Sequence, residues 1–183
     1  IWEMPYRPTP LQFKVDGKTY FNERPVSTQQ SGFVYVSQMR SWLPREVGGI
    51  LWFGNDDANM VAFTPVYCCT PEAPRAYNTP GVDNITFSMD NAFWVCNWVS
   101  NMVYPRYSQM FGSLQAVRDS LDKSYFAAQA EVEAKALSLS QSDRQAAVSY
   151  LSAYTADKAQ QMLDTWKNLA TYLIVKYNDM VVK

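Results

Sequence analysis

The sequence predicts an α+β fold, with an antiparallel sheet in the first half of the chain and a helical region in the second. Nearly half of the 183 residues are apolar, which is enough to build a packed core. Most prolines and glycines, with short alternating or apolar runs, precede residue 90, whereas longer stretches with helical spacing follow it. We therefore expect a β-rich part over residues 1–89 and a helical part over residues 90–183, together forming one domain.

Five short runs in the first half are predicted strands. Asp16-Gly17 lies between two of them and is a strong hairpin signal, so residues 11–15 and 19–21 should pair. Three further runs have short connections, which favours an antiparallel sheet. They are residues 32–39, 49–54 and 60–69, and a polar turn at residues 55–59 separates the last two.

Three helices are expected in the second half. The first should be capped by Ser88 or Asp90, bury a stripe of small and apolar side chains, and end or kink at Pro105. A second should bury Leu114 and neighbours and run on to about residue 137. The third should begin at Ser142, where Ser-Asp-Arg-Gln has the form of a capping box. Its aromatic stripe is expected to be core or interface.

Composition argues against several functions. Sixteen basic and seventeen acidic residues are spread along the chain, so no nucleic-acid partner is expected. The densest apolar stretch, residues 92–103, is too short and too polar to span a membrane. Neither standard glycine-rich phosphate loop is present, and no cofactor or metal is expected. Because the chain contains no histidine, it cannot by itself build a Ser-His-Asp triad or a Cys-His dyad.

The three cysteines do not form a recognisable metal or redox motif. Cys68 and Cys69 are adjacent and Cys96 lies in an apolar helix, without paired CxxC spacing. Buried thiols are the simplest interpretation, and a bridge from Cys68 or Cys69 to Cys96 stays an alternative.

A series of distinctive segments lies between residues 23 and 101. They are ERPVSTQQSGF at residues 23–33, SQMRSWLP at residues 37–44, GGILWFG at residues 48–54 followed by Asp56-Asp57, TPVYC at residues 64–68, and NAFWV with NWVSN at residues 91–101. In this order they resemble the motifs of peptidase family C69, the PepD-type dipeptidases, in which ERPISTQQTGF corresponds to residues 23–33. Asn55 and Cys69 replace residues that are commonly Val and Gly in the family.

The resemblance implies an N-terminal-nucleophile hydrolase, with stacked antiparallel sheets between helices in an αββα sandwich. In that family a cysteine at the mature N-terminus attacks the peptide carbonyl, and its own α-amino group is the base. An amine with a pKa of about 8 can do this without histidine. Ile1 occupies the first position here. The nucleophile is therefore expected in a missing N-terminal segment, and this chain alone should be inactive.

The resemblance and the residue types together give a set of candidate substrate-binding or oxyanion residues. The guanidinium of Arg24 suits a dipeptide's carboxylate, and the adjacent polar side chains suit a substrate amide. Asp56 and Asp57 could hold the substrate's ammonium group, although a turn that bonds its own backbone is the simpler alternative. The remaining candidates are Ser27, Thr28, Gln29 and Gln30.

Three functions stay open on the sequence. The first is the C-terminal portion of a cysteine dipeptidase, whose partners are a dipeptide substrate and the missing N-terminal segment. The second is a non-catalytic binding module built on the same fold, and the third is a related acyl-amide hydrolase.

Asn97 and Asn101 could reach from their helix to the sheet, whereas Trp42 and Trp52 are expected in the core. Apolar surface left uncovered would favour a homo-oligomer.

Overall fold

The computed structural model describes residues 11–23 and 27–182. It is an α+β structure in which small antiparallel sheets precede long helices, as the sequence predicts. The first sheet is the hairpin of β1 (Leu11–Val15) and β2 (Lys18–Glu23). Asp16 and Gly17 both have positive φ, 49° and 76°, which is the backbone of the tight turn that Asp-Gly favours. The hairpin prediction is confirmed.

The second sheet has three antiparallel strands in the order β3-β4-β5. These are β3 (Phe33–Met39), β4 (Gly49–Asn55) and β5 (Thr64–Tyr67), and a one-turn helix, α1 (Arg45–Gly48), precedes β4. The predicted strand at residues 60–69 is therefore too long at both ends. Met60, Val61 and Ala62 are buried without strand pairing, and burial alone produces the apolar run that looks like a strand.

The second half consists of α2 (Ala92–Val103), α3 (Tyr107–Ser142) and α4 (Arg144–Tyr177). A 3₁₀ turn at Tyr104–Arg106, which contains Pro105, joins α2 to α3, and another at Asn178–Met180 follows α4. None of the helices in the described part of the chain has an apolar stretch that could span a bilayer.

Both predicted helix caps are displaced by a residue or more. Asn91, not Ser88 or Asp90, caps α2 by accepting a hydrogen bond from the Phe93 amide. At the start of α4 the cap is Asp143, whose carboxylate accepts from the amides of Gln145 and Ala146. Clustered polar residues offer several candidate caps, and the backbone conformation selects one of them.

The helices pack on one face of the three-stranded sheet. Ile50, Trp52 and Tyr67 are buried on that face, in one core with α2, α3 and α4. The opposite face, which we call the outer face, is apolar but open: Phe33, Tyr35 and Met39 are 61%, 53% and 58% exposed. Trp42, expected in the core, is 76% exposed in the connection after β3, so that expectation is wrong.

An ion pair joins the end of β3 to α3. Arg40 Nη1 lies 2.6 Å from Glu133 Oε2, and Arg40 Nη2 donates to the carbonyl of Val47. The other oxygen of Glu133 accepts from Gln129 and from the hydroxyl of Tyr67. This network fixes the sheet against the helices, and β4 leads directly from it to the candidate site.

Candidate active site

The candidate site is a corner at the end of β4, where two aspartates enter the interior. Asp56 has a φ of 77°, in the left-handed region, and its amide donates to the carbonyl of Gly32 across the sheet. Such a backbone is strained for a residue other than glycine, so the surrounding contacts must hold it. Immediately before the corner, Gly54 packs so tightly on Val61 that an added Cβ would lie 2.5 Å from Val61 Cγ2. Asp56 and Asp57 are both 0% exposed.

Asp57 binds side chains from two distant parts of the sequence. Its Oδ1 accepts a hydrogen bond of 2.5 Å from the hydroxyl of Ser27 and one of 2.9 Å from the amide of Asn59. Its Oδ2 lies 3.4 Å from the hydroxyl of Tyr104, at the end of α2. The carboxylate therefore orients two hydroxyl groups, one from the turn before β3 and one from the helical half.

Asp56 has a different environment. Asn97, on α2, donates to Asp56 Oδ1 at 2.8 Å, and Asp56 Oδ2 makes no hydrogen bond. Burial raises the pKa of Asp56, while Asn97 and the nearby hydroxyl of Ser100 act in the opposite direction. The hydrogen bond from Asn97 holds α2 against the corner.

The four candidates before β3 lie together in one turn. Ser31 N donates to the carbonyl of Thr28, and the Thr28 hydroxyl donates to Gln30 Oε1 at 2.6 Å. Ser27, Thr28 and Gln29 are partly buried and Gln30 is exposed. The hydroxyl of Ser27 donates directly to Asp57. Arg24 lies outside the described residues.

Sequence reasoning did not single out Asn59, Tyr104 or Tyr107. Asn59 Nδ2 donates to the hydroxyl of Tyr107 at 2.8 Å, which ties the turn after Asp57 to the start of α3. Arg118 Nη1 donates to the carbonyl of Asn59. Tyr104 immediately precedes Pro105, and Tyr107 follows it by two residues. Tyr104 also lies two helical turns after Asn97, and this helical spacing was the sequence signal that could have placed the two side chains on one face.

The three cysteines have the environment of unreactive thiols. Burial raises the pKa of Cys68 and Cys69, which follow β5, and raises that of Cys96 well above its usual value. The negative charge of Asp56 acts on Cys96 in the same direction. A reactive cysteine needs a lowered pKa, so none of the three is set up for attack. All three are free. Cys96 is buried as expected, whereas Cys68 is exposed and Cys69 is only partly buried, so the expectation of buried thiols is wrong for these two.

The described residues also contain no group of three or more aspartate, glutamate or cysteine side chains placed to hold a metal ion. The arrangement is thus a set of oriented hydroxyls, amides and carboxylates. Both aspartates are fully buried, so a ligand would meet this set through partly exposed residues such as Ser27.

A known protein family matches much of this chain. The model of peptidase family C69 matches residues 5–120, which is more than half of the chain and includes the aspartate corner, α2 and the first part of α3. The chain therefore belongs to peptidase family C69, a family of hydrolases that act on peptide bonds. A search of curated proteins found no match.

Proposed function

We propose that this chain forms one wall of the substrate pocket of a cysteine dipeptidase. The observation that carries the proposal is the position of Asp57. This residue lies in the segment that matches the peptidase family, is fully buried, and orients the hydroxyl of Ser27. The αββα sandwich implied by the resemblance remains part of the proposal. A second layer over the outer face would complete it, and the exposed Phe33 and Tyr35 support this.

The direction of the hydrogen bond at Ser27 suggests which part of a dipeptide binds here. Because Ser27 donates its proton to Asp57, the free lone pairs of its oxygen can accept a hydrogen bond from a ligand. A dipeptide's ammonium group is such a donor, and the buried negative charge of Asp57 stabilises it through the hydroxyl. Asp57 is then a positioning residue, and Ser27 touches the substrate.

The opposite end of the dipeptide needs a cation. Arg24 remains our candidate for the substrate carboxylate, because a guanidinium fork matches a carboxylate with two hydrogen bonds. Such a pocket has an acceptor for the ammonium group at one end and a cation for the carboxylate at the other. It therefore selects short peptides whose two termini are both free. This selection distinguishes a dipeptidase from an endopeptidase.

The attacking thiolate is proposed to come from a cysteine other than Cys68, Cys69 and Cys96, since burial disfavours the thiolate at each of these. As the resemblance implies, that cysteine would lie in an upstream segment and use its own α-amine as the base. Acyl-amide hydrolysis is the alternative chemistry for the same nucleophile, and a substrate panel separates the two.

The test is steady-state hydrolysis of Gly-Gly by the enzyme that contains this chain. Asp57→Asn and Arg24→Ala are each expected to lower kcat/KM by about tenfold or more, equivalent to ~1.4 kcal/mol. Asp57→Asn should act mainly through KM, and Asp57→Glu should recover part of the loss by restoring the charge. Asp164→Asn, on the exposed side of α4, is the matched control. Unchanged kinetics in Asp57→Asn would remove the corner from the site, and hydrolysis of acyl amides without dipeptides would reject the substrate class.

A further inference from the structure

A groove on the exposed side of α2 adjoins the aspartate corner. It is lined by three aromatic rings and two asparagines, and its volume is about 360 Å³. The lining residues are Phe87, Trp94, Asn97, Trp98 and Asn101. This volume is at the lower end for ligand pockets, so the groove fits a side chain or small molecule better than a folded partner.

The groove and the corner share residues of one helical face. Asn97, Asn101 and Tyr104 follow each other at spacings of four and three, which places them in a row along α2. Asn97 bonds Asp56 and Tyr104 approaches Asp57, while Asn97 and Asn101 also line the groove. A ligand held at the corner would therefore have the groove beside it.

The aromatic walls are held in place. Trp94 Nε1 donates to the carbonyl of Asp83 at 3.0 Å, and its ring meets Phe87 edge-on with centroids 5.7 Å apart. Trp98 is 37% exposed, so a large part of its ring is open to a ligand. Preformed aromatic surface binds apolar groups at a low entropic cost.

The polar groups of the groove are neutral. None of the five lining residues is ionisable, so the groove offers no counter-charge to a charged side chain. Asn101 uses its side-chain nitrogen to donate to Asn97, which leaves its side-chain oxygen as the atom that can accept a hydrogen bond from a ligand. An N–H of a peptide is a suitable donor.

We propose that this groove is the specificity pocket that receives an apolar, preferably aromatic, side chain of the peptide substrate. The inference rests on the proposed peptidase function and adds a substrate preference to it. Trp98 and Phe87 contact the side chain, and Asn101 accepts a hydrogen bond from the substrate's peptide N–H. Dipeptides with aromatic residues are then favoured over glycine dipeptides and over those with charged side chains.

The test is binding to the purified 183-residue chain, followed by NMR of its indole N–H groups. Phe-Gly and Gly-Phe are the probes, and Gly-Gly is the reference. At least one of the two aromatic dipeptides should shift the signals of Trp94 and Trp98 saturably and bind about tenfold or more tightly than Gly-Gly. Trp98→Ala should abolish that preference, and Asn101→Ala should weaken binding of the preferred dipeptide.

Trp42→Ala is the matched control, because Trp42 is an exposed tryptophan that does not line the groove. It should leave binding unchanged. Equal affinity for the aromatic and glycine dipeptides, or an aromatic preference that survives Trp98→Ala, would overturn the inference. Shifts that map to the outer face instead of Trp94 and Trp98 would also overturn it. Because Gly-Gly has no side chain to place against Trp98 and Phe87, its hydrolysis does not depend on the aromatic walls of the groove. Failure of the aromatic preference and failure of the proposed activity therefore give separate results.

Discussion

Replacing Arg40 with alanine tests how the sheet is held against the helices. The guanidinium and the carboxylate of Glu133 are 11% and 12% exposed and lie 2.6 Å apart. Arg40→Ala would leave that carboxylate buried without its cation and remove the hydrogen bond to Val47. Arg40 belongs to the SQMRSWLP segment that resembles the family, yet its contacts are with the protein's own groups. We therefore expect a structural role for it.

Loss of one partner of a buried ion pair costs about 3–5 kcal/mol. Because Gln129 and Tyr67 still donate to Glu133, the lower end applies, and we expect about 3 kcal/mol. For a chain of this size each kcal/mol lowers Tm by about 2–4 °C, so Tm should fall by about 6–12 °C. Urea unfolding gives the free energy, and thermal unfolding followed by circular dichroism gives Tm.

Two further variants make the result specific. Lys167→Ala breaks an ion pair with Asp90, whose side chain is 76% exposed, and should cost no more than about 1 kcal/mol. Arg40→Ala with Glu133→Gln removes both charges and should be more stable than Arg40→Ala alone. If Arg40→Ala costs no more than Lys167→Ala, the ion pair does not hold the sheet and the reasoning is refuted.

Two other predictions concern the corner and the outer face. Burial raises the pKa of Asp56 above its value in an unfolded chain, which is about 3.9. As the pH falls from neutral through the raised pKa towards about 3.9, the free energy of unfolding of the wild type should therefore increase relative to that of Asp56→Asn. Urea unfolding across pH measures the difference, and a flat or opposite trend would contradict the assigned environment. The exposed Phe33, Tyr35 and Met39 predict self-association of the purified chain through the outer face, reduced by Phe33→Ser with Tyr35→Lys. Light scattering measures it, and a wild type that stays monomeric at high concentration would reject this use of the face.

Local chemistry explains which parts of the fold could be predicted from sequence. Asp16-Gly17 determines the hairpin because both residues tolerate the positive φ of its turn. The apolar period of α4 continues from Ala147 to Tyr177, so a long amphipathic helix has little competition. Residues 60–62 were wrongly predicted to belong to a strand because they are buried without pairing. Trp42 was wrongly predicted to lie in the core because its large apolar side chain is exposed in a connection.

Two residues of the candidate site could be named from the sequence, but the contact between them could not. Ser27 and Asp57 were both candidates, but they lie thirty positions apart. They meet because Asp56 adopts a left-handed backbone and directs the chain towards the turn before β3. Tyr104 reaches Asp57, and Tyr107 reaches Asn59, only when α2 and α3 pack on the sheet. No local pattern encodes those tertiary contacts.

The source of the nucleophile is tested most directly by dipeptide hydrolysis with the purified 183-residue chain. No turnover above background is expected, because each of its three thiols has a pKa raised by burial. Addition of the proposed upstream segment with its terminal cysteine should produce activity. Turnover by the chain alone that disappears in Cys68→Ala, Cys69→Ala or Cys96→Ala would contradict the proposal that the attacking sulfur lies elsewhere.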